Sequence, residues 1–478
     1  MRTKRVDVAV IGAGTAGMNA RRAVEKAGGR PLMIESDQYG TMCARVGCMP
    51  SKLLIAAADA AHEVATAGAF GIDVPDGWRV DGRAVMKRVR RLRDRFVGGV
   101  IRQIEALPEE QLLRGHARFT GPTTLNVGGH TLVEARAVVI ATGSVPFIPP
   151  LFDSIREHVM INDDVFELED LPGSIAVVGT GIIGLELGQA MHRLGARTTF
   201  FARADRLGPF TDPEVQAVMR DTFANGLDLR LHTNILAATV EDGGIRLRFA
   251  QTAGDEQEAM FDRVLVATGR HPNVGGLDLT ATGLELNEHG QPDWNPQTTQ
   301  CGDAPIFLAG DASSHIELLH EASDEGRIAG ANAVAYPDVA RHERRTPLAI
   351  AFTDPQIAMV GRHYAQLQGE SIEIGAVSFA RQGRATVMDR AAGLLRVYGD
   401  KETCTVVGAE FFGPRAEHMA HLLAWIVQER VPVTKVLEMP VYHPVLEEGM
   451  RTALRDLARK LKLARQCRTE DFAVAAGD

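Results

Sequence analysis

Cys43 and Cys48 stand in the stretch Gly40-Thr-Met-Cys-Ala-Arg-Val-Gly-Cys-Met-Pro-Ser-Lys52, with four residues between them. On a regular helix, residues five apart are separated by about 7.5 Å along the axis. A disulfide needs Cα atoms closer than about 7 Å. The spacing therefore predicts that Cys43 lies on an irregular turn leading into a helix, with Gly47 permitting the distortion. A helix N-terminus lowers the pKa of a nearby thiol. Such a pair can cycle between dithiol and disulfide beside a redox cofactor. The alternatives are buried unpaired thiols or a metal site, and no second Cys/His pair sits at metal-ligand spacing. The metal expectation is therefore none.

A second candidate lies near the other end, in Tyr442-His443-Pro444-Val-Leu-Glu447-Glu448. A histidine followed by an acid on the next helical turn can be an acid–base group with an orienting carboxylate. The chain has 15 histidines, so on these residues alone a structural role is the better reading.

The elements that must position these residues repeat. Val6–Ile11, Gly12-Ala-Gly14-Thr-Ala-Gly17, a helical run and Arg30–Glu35 form one strand–turn–helix–strand unit. Ser174–Val178, Gly179-Thr-Gly181-Ile-Ile-Gly184, a helix and Arg197–Ala202 form another. One G-x-G-x-x-G is weak evidence, but two in this context point to two dinucleotide sites. The first and third glycines serve the tight turn and helix–strand packing, and the second admits the pyrophosphate to the helix N-terminus. Glu35, 21 residues after Gly14, can bond a ribose diol. Two strands end in the same Ala-Thr-Gly, at Thr142-Gly143 and at Thr268-Gly269, and close the units. A further strand ends at Gly310-Asp311, which can bond a flavin's polyol chain or cap a helix.

The simplest organisation inserts a second unit, 150–273, into a discontinuous first unit, 1–149 and 274–345. The character then changes to α+β over 346–478, with strands at Ile350–Phe352, Leu394–Tyr398 and Thr405–Phe412. The fold class is α/β: two Rossmann-like domains, the second inserted in the first, and a C-terminal α+β domain.

Bulk properties narrow the classes. A chain of 478 residues exceeds one core. A net charge of -9 argues against nucleic acid or an anionic membrane as partner. The basic run Lys87–Arg95 keeps helical apolar spacing through Val85, Val89, Leu92 and Phe96, so a solvated helix face is expected. No stretch approaches the apolar length of a membrane span. Five cysteines (43, 48, 301, 404 and 467) are too sparse for a disulfide framework, and the expected compartment is the cytoplasm. Beyond Glu448, Leu454, Leu457 and Leu461 form an apolar stripe, expected to pack a dimer.

Taken together the motifs resemble those of the flavoprotein pyridine nucleotide–disulfide oxidoreductases, class I, and most closely the dihydrolipoamide dehydrogenases, over nearly the whole chain. The family's redox signature, G-G-T-C-x-N-x-G-C-x-P-S/T-K, is followed from Cys43 to Lys52. Departures fall at Thr41-Met42 and Arg45. The resemblance implies FAD and NAD or NADP as cofactors. It implies that Cys43 exchanges with substrate, Cys48 lies nearest the flavin, and Lys52 pairs with Glu186. It gives His443 the acid–base role, with Glu448 as its partner, and makes the protein a homodimer in which that histidine crosses to the other subunit. FAD would be held by Gly12, Gly14, Gly17, Glu35, Lys52, Thr142, Gly143, Asp311 and His320. NAD(P) would be held by Gly179, Gly181, Gly184, Glu186, Arg203 and Gly269.

Leu319-His320-Glu-Ala-Ser-Asp-Glu325-Gly326 resembles the lipoamide dehydrogenase segment beside the flavin, and Ile182 stands where glutathione reductases carry a tyrosine. Against this, Ala202 stands where NAD-dependent members carry a glutamate, and Arg203 where glutathione reductases carry an arginine, which favours NADPH or dual use. The lone Cys467 in the tail speaks against mercuric reductase. The expected activity is dithiol–disulfide exchange with a small-molecule or lipoyl-domain substrate. The alternatives are NADPH-dependent reduction of another disulfide, or a flavin-binding component of a larger complex.

Overall fold

The structure is a computed structural model in which residues 2–252 and 254–463 are described. Cys467 lies outside the described residues.

The first sheet has seven strands. Arg2–Ile11 pairs in parallel with Pro31–Glu35 on one side and with Thr131–Ile140 on the other. Val8–Ile11 and Ala137–Ile140 are buried, as strands covered on both faces must be. The strand begins earlier than Val6 because the polar stretch Arg2–Arg5 pairs with Thr131–Glu134 at the sheet's exposed end. Helices Thr15–Lys26 and Leu319–Ala335 pack on this sheet; an added Cβ at Gly326 would lie 2.2 Å from the Ala16 carbonyl oxygen, and one at Gly330 would lie 2.3 Å from that of Ala20. Only glycine allows that approach.

After Thr131–Ile140 the chain leaves the sheet. Ser144–Pro146 pairs antiparallel with Arg270–Pro272, so the outgoing and returning strands touch. Between them lies a parallel five-stranded sheet in the order Asp228–Arg230, Arg197–Phe201, Ser174–Val178, Arg263–Val266, Val159–Met160, with a three-stranded antiparallel sheet beside it. The chain rejoins the first sheet as Ile306–Leu308, next to Thr131–Ile140. The fold class is thus two Rossmann-like units, the second inserted in the first, followed by α+β structure.

That last part is an antiparallel sheet of Leu348–Ala351, Gln356–Gly361, Val406–Gly413, Leu394–Asp400 and Ile372–Ser378, covered by helices Ala416–Gln428 and Glu447–Lys460. Leu454 and Leu457 correct the expectation of a dimer-packing stripe, because they are buried in this domain's own core. A Cβ at Gly375 would lie 2.2 Å from the Ala453 carbonyl oxygen, and one at Gly399 would lie 2.7 Å from Leu457. The stripe faces its own sheet because glycines there let the helix settle.

The basic run sits on helix Gly82–Glu105, with Met86 and Val89 buried and Phe96 exposed. The membrane-span expectation is also corrected. Met42–Phe70 is long and apolar enough, by length and composition, to cross a bilayer. In the fold its Leu54, Ile55, Ala58 and Ala61 pack in a cluster with Leu185, Ala190 and Met191 of the second unit.

Candidate active site

Each glycine turn is built the same way. Gly12 has φ +107° and Gly179 has φ +109°, a region that favours glycine. A Cβ on Gly17 would lie 1.9 Å from the Gly12 carbonyl oxygen, and one on Gly184 would lie 2.2 Å from that of Gly179. The middle glycines differ from these. Gly14 and Gly181 have ordinary extended backbones, and a Cβ on either would meet nothing within 4 Å. Nothing inside the chain requires glycine there. Each stands at the start of a helix whose N-terminus carries no side-chain cap, an arrangement that leaves room for a dinucleotide pyrophosphate.

Around the first turn, both carboxylate oxygens of Glu35 accept backbone N–H groups, from Ala13 at 2.8 Å and Asp37 at 2.9 Å. Asp311 accepts the Ser144 hydroxyl at 3.0 Å. It caps no helix: it lies inside the short 3₁₀ turn Gly310–Ser313, which has no side-chain cap, and the helix after that begins at Leu319 with Leu318 before it. The hydroxyl of Thr142, beside Gly143 (φ +70°), and Nε2 of His320 are buried without a hydrogen-bond partner. Buried polar atoms are normally satisfied. The glycine cradle and these two open atoms fit a polar dinucleotide such as FAD.

The thiols lie at the mouth of this unit. Cys43 sits in a single helical turn, Met42–Arg45, capped by the Thr41 hydroxyl, and Cys48 is the first residue of helix Cys48–Thr66. The expected irregular turn is thus a short helix broken from the long one at Val46-Gly47. A Cβ on Gly47 would lie 3.3 Å from Cys43 Cα, so glycine brings the two segments together. Both cysteines are free thiols that share a hydrogen bond. That bond from Cys43, helped by the Lys52 ammonium, brings the Cys48 thiol down to about 7 against the cost of burial. The same bond, together with burial, pushes Cys43 up. The pair's negative charge therefore rests on Cys48.

Lys52, one turn into the helix, joins Glu186 at 2.6 Å and lies 4.6 Å above the Phe352 ring. Glu186 is buried on helix Ile182–Arg193 of the second unit and also accepts the Phe352 N–H at 2.7 Å. This ion pair links the redox helix to the second nucleotide unit.

His443 is exposed, and its Nδ1 lies 2.8 Å from Oε1 of buried Glu448. The other oxygen of Glu448 accepts the Val445 N–H at 3.1 Å. The carboxylate fixes the ring, leaving Nε2 directed outward. Among the described residues, no hydrogen bond joins His443 to either cysteine. Tyr442 and Trp425 are exposed on the same domain, at 79% and 64%.

The second turn opens on a cavity of about 380 Å³ lined by Gly179, Thr180, Ala202, Arg203, Arg206 and Thr268, among others. Gly269 (φ +120°) follows Thr268 at its edge.

Arg270 escaped the sequence reading, and Glu325 stood there only as part of a resembling segment, without a role. Arg270 donates to the Ser144 hydroxyl at 2.7 Å, to its carbonyl at 2.8 Å and to Met42 Sδ at 3.2 Å. It ties the strand leaving the second unit to the residue beside Cys43. A signal existed: Ser144 and Arg270 each follow a copy of Ala-Thr-Gly. Glu325, fully buried, accepts from the Gly310 N–H at 2.8 Å and from Arg344 at 2.9 Å, fixing the turn that presents Asp311. Burial pushes its carboxyl up.

Residues 6–326 match the family model of the pyridine nucleotide-disulphide oxidoreductases, and residues 348–454 match that family's dimerisation domain. The chain is 31% identical to a dihydrolipoyl dehydrogenase of Thermus scotoductus over 469 residues, covering 96% of this chain and 98% of that one. It is 29% identical to the dihydrolipoyl dehydrogenase of Bacillus subtilis, with 94% and 97% covered. Among solved structures, LpdA of Mycobacterium tuberculosis superposes with a TM-score of 0.80 at 24% identity, covering 94% of this chain and 99% of that one. The Escherichia coli RclA flavoprotein disulfide reductase, as its Cu(II) complex, gives 0.79 at 21% identity, covering 96% and 99%. At these identities the two structures speak for the fold alone.

Proposed function

The chain belongs to the pyridine nucleotide-disulphide oxidoreductase family and is an NAD(P)-dependent flavoprotein that uses FAD, and from that premise we propose that it exchanges a dihydrolipoyl dithiol with its disulfide through Cys43 and Cys48. The observation that carries this reading is the thiol pair itself. It is held at a helix start, with charge on Cys48, between two dinucleotide turns. The printed names of the full-length relatives support the lipoyl substrate.

When bound, FAD would supply two-electron exchange between a nicotinamide and the cysteine pair. Gly12, Gly14, Gly17, Glu35, Thr142, Gly143, Asp311 and His320 would hold it. The nicotinamide dinucleotide would lie on Gly179, Gly181, Gly184, Arg203 and Gly269. The chain's own chemistry is thiol exchange. His443 takes a proton from a substrate thiol, and the thiolate attacks Cys43 in the oxidised pair. The Cys43–Cys48 bond breaks, a mixed disulfide forms, and Cys48 leaves as the thiolate its low pKa favours. The second substrate thiol then displaces Cys43, which departs as the thiol. Two thiols have become one disulfide, and the cysteine pair is reduced. Lys52 holds positive charge beside Cys48, and Glu186 fixes Lys52.

His443 is exposed and its partner Glu448 is buried behind it, and among the described residues neither bonds Cys43 or Cys48. We assign them to the dithiol of a second copy in a homodimer, working in the cytoplasm. Replacing His443 by glutamine should cost about 10²–10⁴-fold in turnover.

A matrix of steady-state assays tests the reading. It crosses lipoamide, dihydrolipoamide and oxidised glutathione with both nicotinamide coenzymes. Turnover of the lipoyl pair, abolished by Cys48→Ser, is expected. Turnover of glutathione disulfide alone would overturn the lipoyl assignment. Unchanged behaviour of Cys48→Ser would remove the thiol mechanism and leave a flavin-binding component of a larger assembly. A second reading, NADPH-dependent reduction of another disulfide, is favoured by one observation: Ala202 and Arg203 in the second cavity.

A further inference from the structure

We infer that Asn162 and Arg270 are positioning residues for the thiol pair, clamping the turn that carries Cys43 at its two ends. The inference rests on the thiol-exchange reading and goes beyond it in naming what holds the reacting sulfur in place.

The turn is short and lightly held by its own residues. Met42–Arg45 spans four residues, with one side-chain cap, from Thr41, and Val46 closes it. A helix of one turn is not stable alone in water. Gly47 then departs from helical geometry, with φ -125° and ψ -116°, before helix Cys48–Thr66 begins. A support from outside this segment must fix the turn if Cys43 is to stay against Cys48.

Two side chains of the inserted unit reach it. At the front, the Arg270 guanidinium donates to Met42 Sδ at 3.2 Å. At the back, the amide of buried Asn162 donates to the Val46 carbonyl at 3.0 Å. The two contacts are joined, since Arg270 also donates to the Asn162 side-chain oxygen at 3.4 Å. Arg270 is anchored in turn on the hydroxyl and carbonyl of Ser144, at 2.7 and 2.8 Å, and that hydroxyl donates to Asp311 at 3.0 Å. One hydrogen-bonded chain thus runs from Asp311 to both ends of the thiol turn. Among the described residues, neither Asn162 nor Arg270 bonds Cys43 or Cys48, so they act through the turn and not on the sulfurs. The front acceptor, Met42, stands where the family signature has threonine, so that contact belongs to this chain's own sequence. Misplacing a reacting group by about 1 Å can cost 10²-fold in rate. The bond from Cys43 also draws the Cys48 thiol down to about 7, so a loosened turn should show in titration as well as in rate.

The test compares the FAD-loaded protein with its Arg270→Met/Asn162→Ala double variant. Three quantities are measured. The first is turnover of lipoamide, or of glutathione disulfide if that alone is turned over. The second is turnover of ferricyanide, which bypasses the thiols. The third is the pH midpoint of Cys48 alkylation in the reduced protein. In the double variant, kcat for the disulfide should fall by about ten- to a hundredfold with little change in KM. The alkylation midpoint should move up by about one pH unit, because Cys48 loses its bond from Cys43. Arg270→Lys, which keeps a cationic donor, should retain most of both properties. Ferricyanide turnover and FAD content should match the unaltered protein. Unchanged disulfide turnover and an unchanged midpoint overturn the inference while leaving the thiol mechanism standing. An equal fall in ferricyanide turnover overturns it too, since the two residues would then be general supports of the fold. Should the double variant lose FAD, the single variants Met42→Leu and Asn162→Ala leave Ser144 untouched and are judged by the same outcomes. Disulfide turnover that survives Cys48→Ser would instead remove the thiol-exchange reading itself.

Discussion

At the first glycine turn the strand ends in Glu35, whose two oxygens are already engaged by Ala13 and Asp37. At the second the strand ends at Phe201, Ala202 follows, and the loop beyond carries Arg203 and Arg206 to the lining of the adjoining cavity. The backbone of the two turns is nearly superposable in φ and in the close contacts of their glycines. The difference separates two kinds of information. On the proposed reading the glycines admit a dinucleotide, and the residue after the last position paired with the strand before the turn, Glu35 or Ala202, bears on which one.

Substitutions can break this comparison at each level. The largest effect should come from the middle glycines. Gly14→Val and Gly181→Val meet open space within the chain, so thermal stability should hold while nucleotide affinity falls by about a hundredfold, as overfilling a packed contact predicts. Gly14→Val should be seen as lost FAD, and Gly181→Val as a raised KM for the nicotinamide with FAD retained. Equal loss of melting temperature in both would show that these glycines serve the fold.

The third glycines should behave in the opposite way. Gly17→Ala and Gly184→Ala press a methyl group on a carbonyl oxygen, and each should destabilise its unit by about 1–3 kcal/mol in thermal unfolding. Smaller still, Glu35→Ala strands the Ala13 and Asp37 N–H groups and should lower stability by about 1–2 kcal/mol. No cost of that kind attends Ala202→Glu, whose effect should fall on coenzyme preference, moving it toward NADH.

The smallest effect lies where the two units meet. Lys52 favours the Cys48 thiolate and Glu186 opposes it, while the thiolate is present above about pH 7. Lys52→Met should therefore move the midpoint of Cys48 alkylation in the reduced protein upward, by about one pH unit. Glu186→Gln should move it downward. A midpoint that follows neither charge would mean that the thiol is set by Cys43 alone.

Local spacing made much of this legible. The glycine turns, the thiol pair and the His-Pro-x-x-x-Glu segment are short patterns whose geometry the backbone enforces nearby. What escaped depends on residues distant in sequence. Arg270 reaches Met42, and Arg344 reaches Glu325, only once the sheets have assembled. The Leu454–Leu457 stripe misled because amphipathic periodicity reports that a face is buried, not what covers it. Gly375 and Gly399, far upstream, decide that. At Met42–Phe70 hydropathy erred the other way: no stretch of span length is expected there, yet one exists by length and composition, and the fold lays that apolar surface against the second unit, where Lys52 meets Glu186.

Ser144–Pro146 and Arg270–Pro272 run side by side, Phe147 N–H bonds the Gly269 carbonyl, and Asn273 N–H bonds the Gly143 carbonyl. The inserted unit is therefore plugged in at a double-stranded neck. Its other ties include side-chain contacts: Glu186 to Lys52, and Thr211 and Asp212 to Glu410. The neck thus sets where the inserted unit hangs, and Glu186 within that unit sets the charge that Lys52 brings to Cys48, so the hinge of the unit and the charge beside the thiol are separate connections.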